Sequence, residues 1–117
     1  MPEEYTDLVA ALKSLSQSNM TLPVAEDEWD RRPDTVSYGI VSLDYEVGAL
    51  YGDNVKQSTA YEGGVQLYSM MRDGAGWVEM ITRTLTEYCE GCWSLNYHTY
   101  ERDTGLFHWD WTFQVEG

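Results

Sequence analysis

Two cysteines and two histidines are the residues whose type and spacing could do chemistry. Cys89 and Cys92 form a CxxC motif within YCEGCW, and His98 and His108 are the only histidines. A zinc site would need both pairs, because four ligands are usual. A redox CxxC sits at the start of a helix, whereas we expect this one at the end of a helix. The pattern therefore favours two ordinary buried or half-buried thiols.

The histidines are predicted to face each other across the last two strands, on the polar side. Two imidazoles in that position could bind a metal ion, or repel each other when both are protonated. Only Asp110 offers a carboxylate nearby, and two or three ligands make an incomplete site. Two exposed cross-strand histidines are the favoured interpretation.

An acidic segment is the remaining candidate for chemistry. Glu26, Asp27, Glu28 and Asp30 surround one tryptophan in EDEWD. Calcium loops have a D-x-[DN]-x-[DN]-G spacing, which is absent, so a solvated acidic loop is expected. The common motifs of hydrolases, nucleotide-binding proteins and zinc proteases are also absent. We therefore predict no catalytic, cofactor-binding or metal-binding residue, no cofactor, and a protein that is not an enzyme.

Charge limits the classes of partner. The chain has 117 residues, enough for a single domain over 1–117, and a net charge of −13. Such a charge argues against binding nucleic acid or an anionic membrane, since both need a cationic surface. It is compatible with repulsion of DNA, docking to a basic partner, or simple solubility.

Membrane insertion and secretion are not expected from the sequence. No run of about 18 apolar residues could form a membrane-spanning helix. The start, MPEEYTDL, is acidic and lacks the apolar region of a signal peptide. We expect a protein made and used in a reducing cytosol.

The C-terminal segment has the clearest pattern of the chain. Apolar residues occupy every second position, which places them on one face of a strand. A turn near Asp103, within a five-residue loop ERDTG, would pair this strand with the one before it and align both apolar sets. The apolar positions are Phe107, Trp109, Trp111, Phe113 and Val115, and the predicted pairs are Trp93–Phe113, Leu95–Trp111 and Tyr97–Trp109.

Two amphipathic helices and three further strands complete the prediction. Apolar residues recur at helical spacing, Tyr5 to Leu15 and Trp77 to Tyr88. Extended segments are expected at residues 22–25, from residue 36 onward, and from 55 to 71, where Gly63–Gly64 indicates a bulge or a close backbone approach. Residues 48–54 are predicted to form a turn. The order α-β-β-β-α-β-β predicts an α+β fold, a mostly antiparallel sheet with two helices on one face.

Aromatic residues outside this core point to interactions with other proteins. Tyrosine and tryptophan are enriched at protein interfaces, so the surplus favours a self-assembling or docking protein. The residues left outside the predicted core are Trp29, Tyr38, Tyr45, Tyr51, Tyr68 and Tyr100.

Nearly the whole chain resembles the tail-completion proteins of phages and prophages, also called tail terminator or head–tail joining proteins. EYTDLVAALKSL is similar to the opening helix of that family, and LPVAEDEW to the short segment after it. GGVQLYSM resembles the third strand, and the last strand of the family ends like WTFQVEG. These are patterns of core and turn residues.

The resemblance implies a non-enzymatic virion protein that assembles in the host cytoplasm. Family members form homo-oligomeric rings, commonly hexamers, at the head-proximal end of the tail. There they stop growth of the tail tube and join the tail to the head connector or stopper protein. DNA passes through the lumen without specific binding, and an acidic wall suits this. The long strand 55–70 and the loop 44–54 are the candidate ring and tube contacts.

Two other functions are compatible with the residues alone. A small acidic inhibitor or DNA mimic could block a nucleic-acid-binding protein of the host, although the carboxylates cluster in the N-terminal segment, in EDEWD and in turns. An enzyme could use His98 and His108. Capture of a DNA-binding enzyme would support the mimic, and loss of an activity on alanine substitution would support the enzyme.

Overall fold

The computed structural model describes residues 3–29, 34–52 and 55–116, with side chains described outside 45–59. Within these ranges, two helices and seven strands follow one another, with a short 3₁₀ turn at Gly74–Gly76 before the second helix. In chain order the elements are α1 (Glu3–Lys13), β1 (Ser16–Gln17), β2 (Met20–Thr21), β3 (Val24–Glu26), β4 (Ser37–Gly52), β5 (Val55–Ser69), α2 (Trp77–Tyr88), β6 (Trp93–Glu101) and β7 (Leu106–Glu116).

Five of the strands form one sheet in the order β3-β4-β5-β7-β6. The short β3 runs parallel to β4, and the other neighbours are antiparallel. β1 and β2 form a separate two-stranded hairpin. The fold is therefore α+β with a mostly antiparallel sheet, as predicted.

The alternating aromatic residues of β7 form the centre of the core. Trp109, Trp111, Phe113 and Val115 are buried, and Phe107 packs against the same cluster. Both helices contribute their apolar stripes to this cluster and contact each other, so they lie on the same face of the sheet. The predicted inward face of the C-terminal strand is confirmed. Buried helix residues in the core are Tyr5, Leu8, Val9, Leu12, Trp77, Ile81 and Leu85.

Gly63 is required by a close approach between strands. A Cβ at this position would lie 2.3 Å from the carbonyl oxygen of Ser42 and 2.6 Å from Cζ of Phe113. The close approach predicted for Gly63–Gly64 is confirmed. The bulge lies instead on the opposite strand, where Leu43 pairs with Gly63 and Tyr45 pairs with Glu62, so that Asp44 is the extra residue.

The predicted turn over residues 48–54 is wrong for most of its length. Backbone pairing of β4 with β5 continues to Gly52 and Val55, so Gly48 and Gly52 belong to a strand. Asp53 and Asn54 lie outside the described residues. The pairing register shifts near Gly48 and again near Leu50. Pairing continues beyond each shift, because an extra residue in one strand leaves the rest of the ladder intact.

The β1–β2 hairpin was not predicted. Its two loop residues, Ser18 and Asn19, have φ values of 49° and 64°, which is the left-handed conformation that tight two-residue hairpins require. The usual sequence signal is Asn-Gly or Asp-Gly. Ser18 and Asn19 are polar, and the sequence instead predicts that they mark the end of the first helix.

Candidate functional site

The two histidines lie on opposite faces of the β6–β7 hairpin. His98 pairs with Trp109 and stacks on its ring with centroids 4.3 Å apart. His108 pairs with Thr99 and is buried on the face without helices. The predicted histidine pair is therefore wrong, and the structure gives no metal site shared by the two imidazoles.

A one-residue bulge at Asn96 explains the error. The predicted pairs Trp93–Phe113 and Leu95–Trp111 are confirmed, but Tyr97 pairs with Asp110 rather than with Trp109. The hairpin loop holds four residues between Glu101 and Leu106 instead of the predicted five. The pairs next to the loop are therefore shifted by one residue from the predicted register. The bulge at Asn96 restores the predicted register from Leu95 onward. The amide of Asn96 stabilises the bulge by donating to Asp110 Oδ2 at 2.8 Å and to Thr112 Oγ1 at 2.6 Å.

His108 is fixed by partners at both ring nitrogens. Nδ1 lies 3.0 Å from Glu101 Oε2, and Nε2 lies 3.0 Å from Gln66 Oε1, which also accepts from the Tyr68 hydroxyl at 2.8 Å. The imidazole stacks on Tyr68 at 4.2 Å, and the ring of Tyr97 meets it edge-on at 5.3 Å. Neither ring nitrogen is free for a metal ion or a substrate. The cluster instead connects side chains of three strands, β5, β6 and β7.

Replacing His108 by phenylalanine is expected to lower the free energy of unfolding by about 1–3 kcal/mol. The ring contacts survive, but Glu101 and Gln66 lose a partner in a partly buried place. Urea unfolding measures the loss. Glu101→Gln, which keeps an acceptor oxygen for Nδ1–H, is the matched control and should cost less. Equal stability of His108→Phe and the unmodified chain would show that the cluster contributes nothing.

Aromatic rings form a continuous row across the face without helices. The Tyr38 and Tyr68 rings stack at 5.1 Å, Tyr68 stacks on His108, and Trp29 meets Tyr38 edge-on at 6.4 Å. Because these rings cover each other's faces, they offer no open platform on which a base could stack. Tyr38 is buried, so it is not left for an interface as predicted, whereas Tyr68 is half-buried on the face without helices.

The other four aromatic residues that were predicted to lie outside the core differ in how far the structure exposes them. Trp29 is half-buried and donates from Nε1 to the carbonyl oxygen of Gly39 at 3.1 Å. Tyr100 is exposed, as predicted. Tyr45 and Tyr51 lie outside the described side chains.

The two cysteines are free thiols with different surroundings. Cys89 is buried and Cys92 is exposed, and the Cys92 N–H donates to the Cys89 carbonyl oxygen in the turn after α2. Burial, followed by the negative charge of Glu4, raises the pKa of Cys89 to about 12. A thiol that stays protonated is a poor nucleophile and a poor metal ligand.

At pH 8 a thiol reagent such as DTNB is expected to modify Cys92 at once and Cys89 only after unfolding. With a pKa of about 12, about one Cys89 thiol in ten thousand is ionised at that pH. Cys92→Ser should therefore remove the fast phase and leave one thiol that appears in urea. A fast reaction that persists in Cys92→Ser and vanishes in Cys89→Ser would contradict this assignment.

The acidic segment is exposed at the end of β3. Glu26, Asp27 and Glu28 are exposed, Lys13 Nζ lies 3.4 Å from Glu26 Oε1, and Asp30 lies outside the described residues. Over residues 3–29, 34–52 and 55–116, no three His, Cys, Asp or Glu side chains are grouped so that they could hold a metal ion. In the same ranges, no helix has the length and apolar character to cross a membrane.

An apolar hollow of about 340 Å³ lies between the β1–β2 hairpin, the start of β4 and the start of α2. Gln17 closes one side, because its Nε2 donates to the carbonyl oxygen of Ala75. No charged residue lines it, although 23% of the chain is charged. The main apolar lining residues are Met20, Leu22, Pro23, Val36, Met71 and Trp77.

Sequence reasoning missed this hollow because its walls come from four separate segments. In the structure, three exposed apolar side chains mark the hollow: Met20, Val36 and Met71 are 58%, 42% and 49% exposed. Exposed methionines are typical of adaptable binding surfaces. The chemistry of the hollow is therefore the burial of an uncharged apolar group.

The arrangement defines an α+β protein with an uncharged apolar hollow between the β1–β2 hairpin, β4 and α2. Neither the comparison with protein-family models nor the comparison with curated proteins finds a match to this chain.

Proposed function

We propose that this chain is a tail-completion protein of a tailed phage or prophage. In this proposal, copies form a ring, expected to be a hexamer, at the head-proximal end of the tail. The ring stops growth of the tail tube and joins the tail to the head connector. The observation that carries the proposal is the α+β element order together with stretches along nearly the whole chain that resemble the family.

The long β4–β5 ribbon supports ring formation. β5 pairs with β7 only from Ala60 onward, whereas it pairs with β4 back to Val55. The ribbon of residues 49–52 and 55–59 therefore extends past the other long strands, and the longest dimension of the protein is 51 Å. A two-stranded ribbon alone is marginally stable in water, so we assign it to contacts with neighbouring copies or the tube.

The net charge of −13 suits a ring through which DNA moves. Carboxylates on the lumen wall do not bind phosphates, so DNA can pass without being held. This role needs no catalytic group, and the partners it implies are further copies, the tube protein and the connector.

Removal of the gene from the phage or prophage that encodes it tests this function. Electron microscopy should then show tails of irregular length that are not joined to heads, and expression of the chain from a plasmid should restore whole particles. Normal particles without the chain would contradict the proposal. Capture of a DNA-binding host enzyme by the purified chain would favour the acidic inhibitor or DNA mimic instead.

A further inference from the structure

Unpaired cations lie near each other at one end of the sheet. The structure describes the side chains of four of the seven lysine and arginine residues. Two of them, on α1 and α2, form salt bridges with carboxylates. The other two, Arg72 and Arg102, are exposed and form no salt bridge with a described residue. In a chain with a net charge of −13, cations without a partner of their own are open to a carboxylate from outside.

An open cleft of about 500 Å³ lies beside these arginines, between the end of β5 and the β6–β7 hairpin loop. Arg102 lies in that loop. The cleft, which we call the arginine cleft, is lined by Met70, Arg72, Tyr100, Gly105 and Phe107, with no carboxylate among them. The aromatic rings and the thioether exclude part of the water around the guanidinium of Arg72, and an ion pair is stronger where water is excluded.

Nearby carboxylates of the same copy do not neutralise the two arginines. Asp73 Oδ1 accepts from the Ala75 N–H at 2.9 Å and so caps the 3₁₀ turn. The Glu101 carboxylate contacts the His108 ring at 3.0 Å and the Thr104 hydroxyl at 3.2 Å. Asp103 is exposed in the hairpin loop and forms no salt bridge with a described residue.

The residues after β3 carry the opposite charge in a fixed position. Asp27 and Glu28, which we call the acidic tip, are exposed and form no salt bridge with a described residue. Their backbone is held by hydrogen bonds, from Asp27 N–H to the Val41 carbonyl oxygen at 2.8 Å and from Glu28 N–H to that of Glu26 at 2.7 Å.

The acidic tip and the arginine cleft are too far apart to meet within one copy. β4 and β5 separate β3 from β7, the strand that carries Phe107 of the cleft. Three strand spacings amount to about 14 Å. The acidic tip can therefore reach only the cleft of another copy.

We propose that the acidic tip of one copy binds in the arginine cleft of the next copy, so that copies associate head to tail. The pairing of free carboxylates with free guanidinium groups offsets repulsion between copies that carry −13 each. Two different surfaces that meet in this way make a heterologous interface, which closes into a ring when the rotation between copies allows it. This inference deepens the proposed function and rests on it.

Charge reversal on each surface of the full chain tests this interface. Arg72→Glu reverses the charge of the cleft, Glu28→Lys reverses that of the tip, and the double variant restores opposite charges at every contact. Circular dichroism confirms folding, and Arg72→Gln or Glu28→Gln replaces a single variant that is unfolded. Arg83→Glu and Glu79→Lys are the matched controls, because these exposed residues make the same charge changes on α2, away from both surfaces.

Light scattering after size exclusion, over a range of protein concentrations, gives the concentration at which half of the chain is assembled. Each single reversal should raise this concentration at least about tenfold, because attraction becomes repulsion. The double variant should assemble nearly as well as the unmodified chain, and the two controls should match the unmodified chain. An unmodified chain that runs at 13.4 kDa at every concentration, single reversals without effect, or a double variant no better than the single ones overturns the proposal.

The outcomes separate this interface from the proposed function. If the gene is required for joined tails but charge reversal does not change assembly, the interface is wrong and the function stands. If the double variant restores assembly but particles are normal without the gene, the function is wrong and the chain still associates head to tail.

Discussion

Trp111→Ala is expected to lower the free energy of unfolding by about 3–5 kcal/mol, the usual cost of removing a large buried aromatic side chain. Trp111 is fully buried between the sheet and the helices. Small domains have only about 5–15 kcal/mol in total, so this variant should be partly unfolded near 37 °C. Urea unfolding followed by circular dichroism measures the change.

Trp111→Phe is the matched control for this substitution. The indole Nε1 of Trp111 is buried without a hydrogen-bond partner among the described residues, and phenylalanine removes that polar group while it keeps one aromatic ring. We expect it to cost less than half as much as alanine, since loss of an unpaired donor offsets part of the lost packing. Equal costs for the two variants would show that ring packing does not hold the core.

Gly63→Ala is the second substitution with a large expected effect, about 3 kcal/mol or more. The new methyl group would lie 2.3 Å from the backbone oxygen of Ser42 and 2.6 Å from the buried Phe113 ring, and neither can move without separating two strands. Thermal unfolding should show a clear fall in Tm, or the variant should be insoluble.

Gly39→Ala supplies the comparison for Gly63→Ala. Gly39 lies on the neighbouring strand β4, and its added methyl group would meet its nearest neighbours at 3.4 Å, which is ordinary contact. We expect a change within about 1 kcal/mol, because alanine also reduces the freedom of the unfolded chain. If both variants unfold at the same temperature, the close approach at Gly63 does not constrain the fold.

Periodicity predicted the elements that bury an apolar face. Trp109, Trp111 and Phe113 alternate without interruption, so the inward face of β7 followed from spacing alone. The apolar stripes of α1 and α2 were predicted from helical spacing in the same way, and their residues meet in one core. Burial is the dominant driving force, and a pattern that reports burial is the most informative one in a sequence.

Side-chain hydrogen bonds and turn lengths escaped prediction. The bulge at Asn96 depends on its amide reaching Asp110 and Thr112, and one residue of register decides the face on which His98 and His108 lie. The position of His108 in turn depends on Gln66, which lies far away in sequence. Polar contacts between distant segments leave no periodic signal.

The apolar hollow was not predicted from the sequence. An excess of exposed aromatic residues indicated an interface, but Tyr38 and Tyr68 pack against each other across the sheet instead. The hollow that remains is lined by residues such as Met20 and Met71 that are far apart in sequence. Only the folded chain brings them together, and so the sequence could not identify them.

Location of the chain in intact particles tests the central claim most directly. Immunogold labelling of purified phage, with electron microscopy of the neck, should place the label where tail meets head and nowhere else. Reconstruction of that region should show a closed ring whose copies repeat around the tail axis. Particles that infect normally yet carry none of this chain would contradict the account.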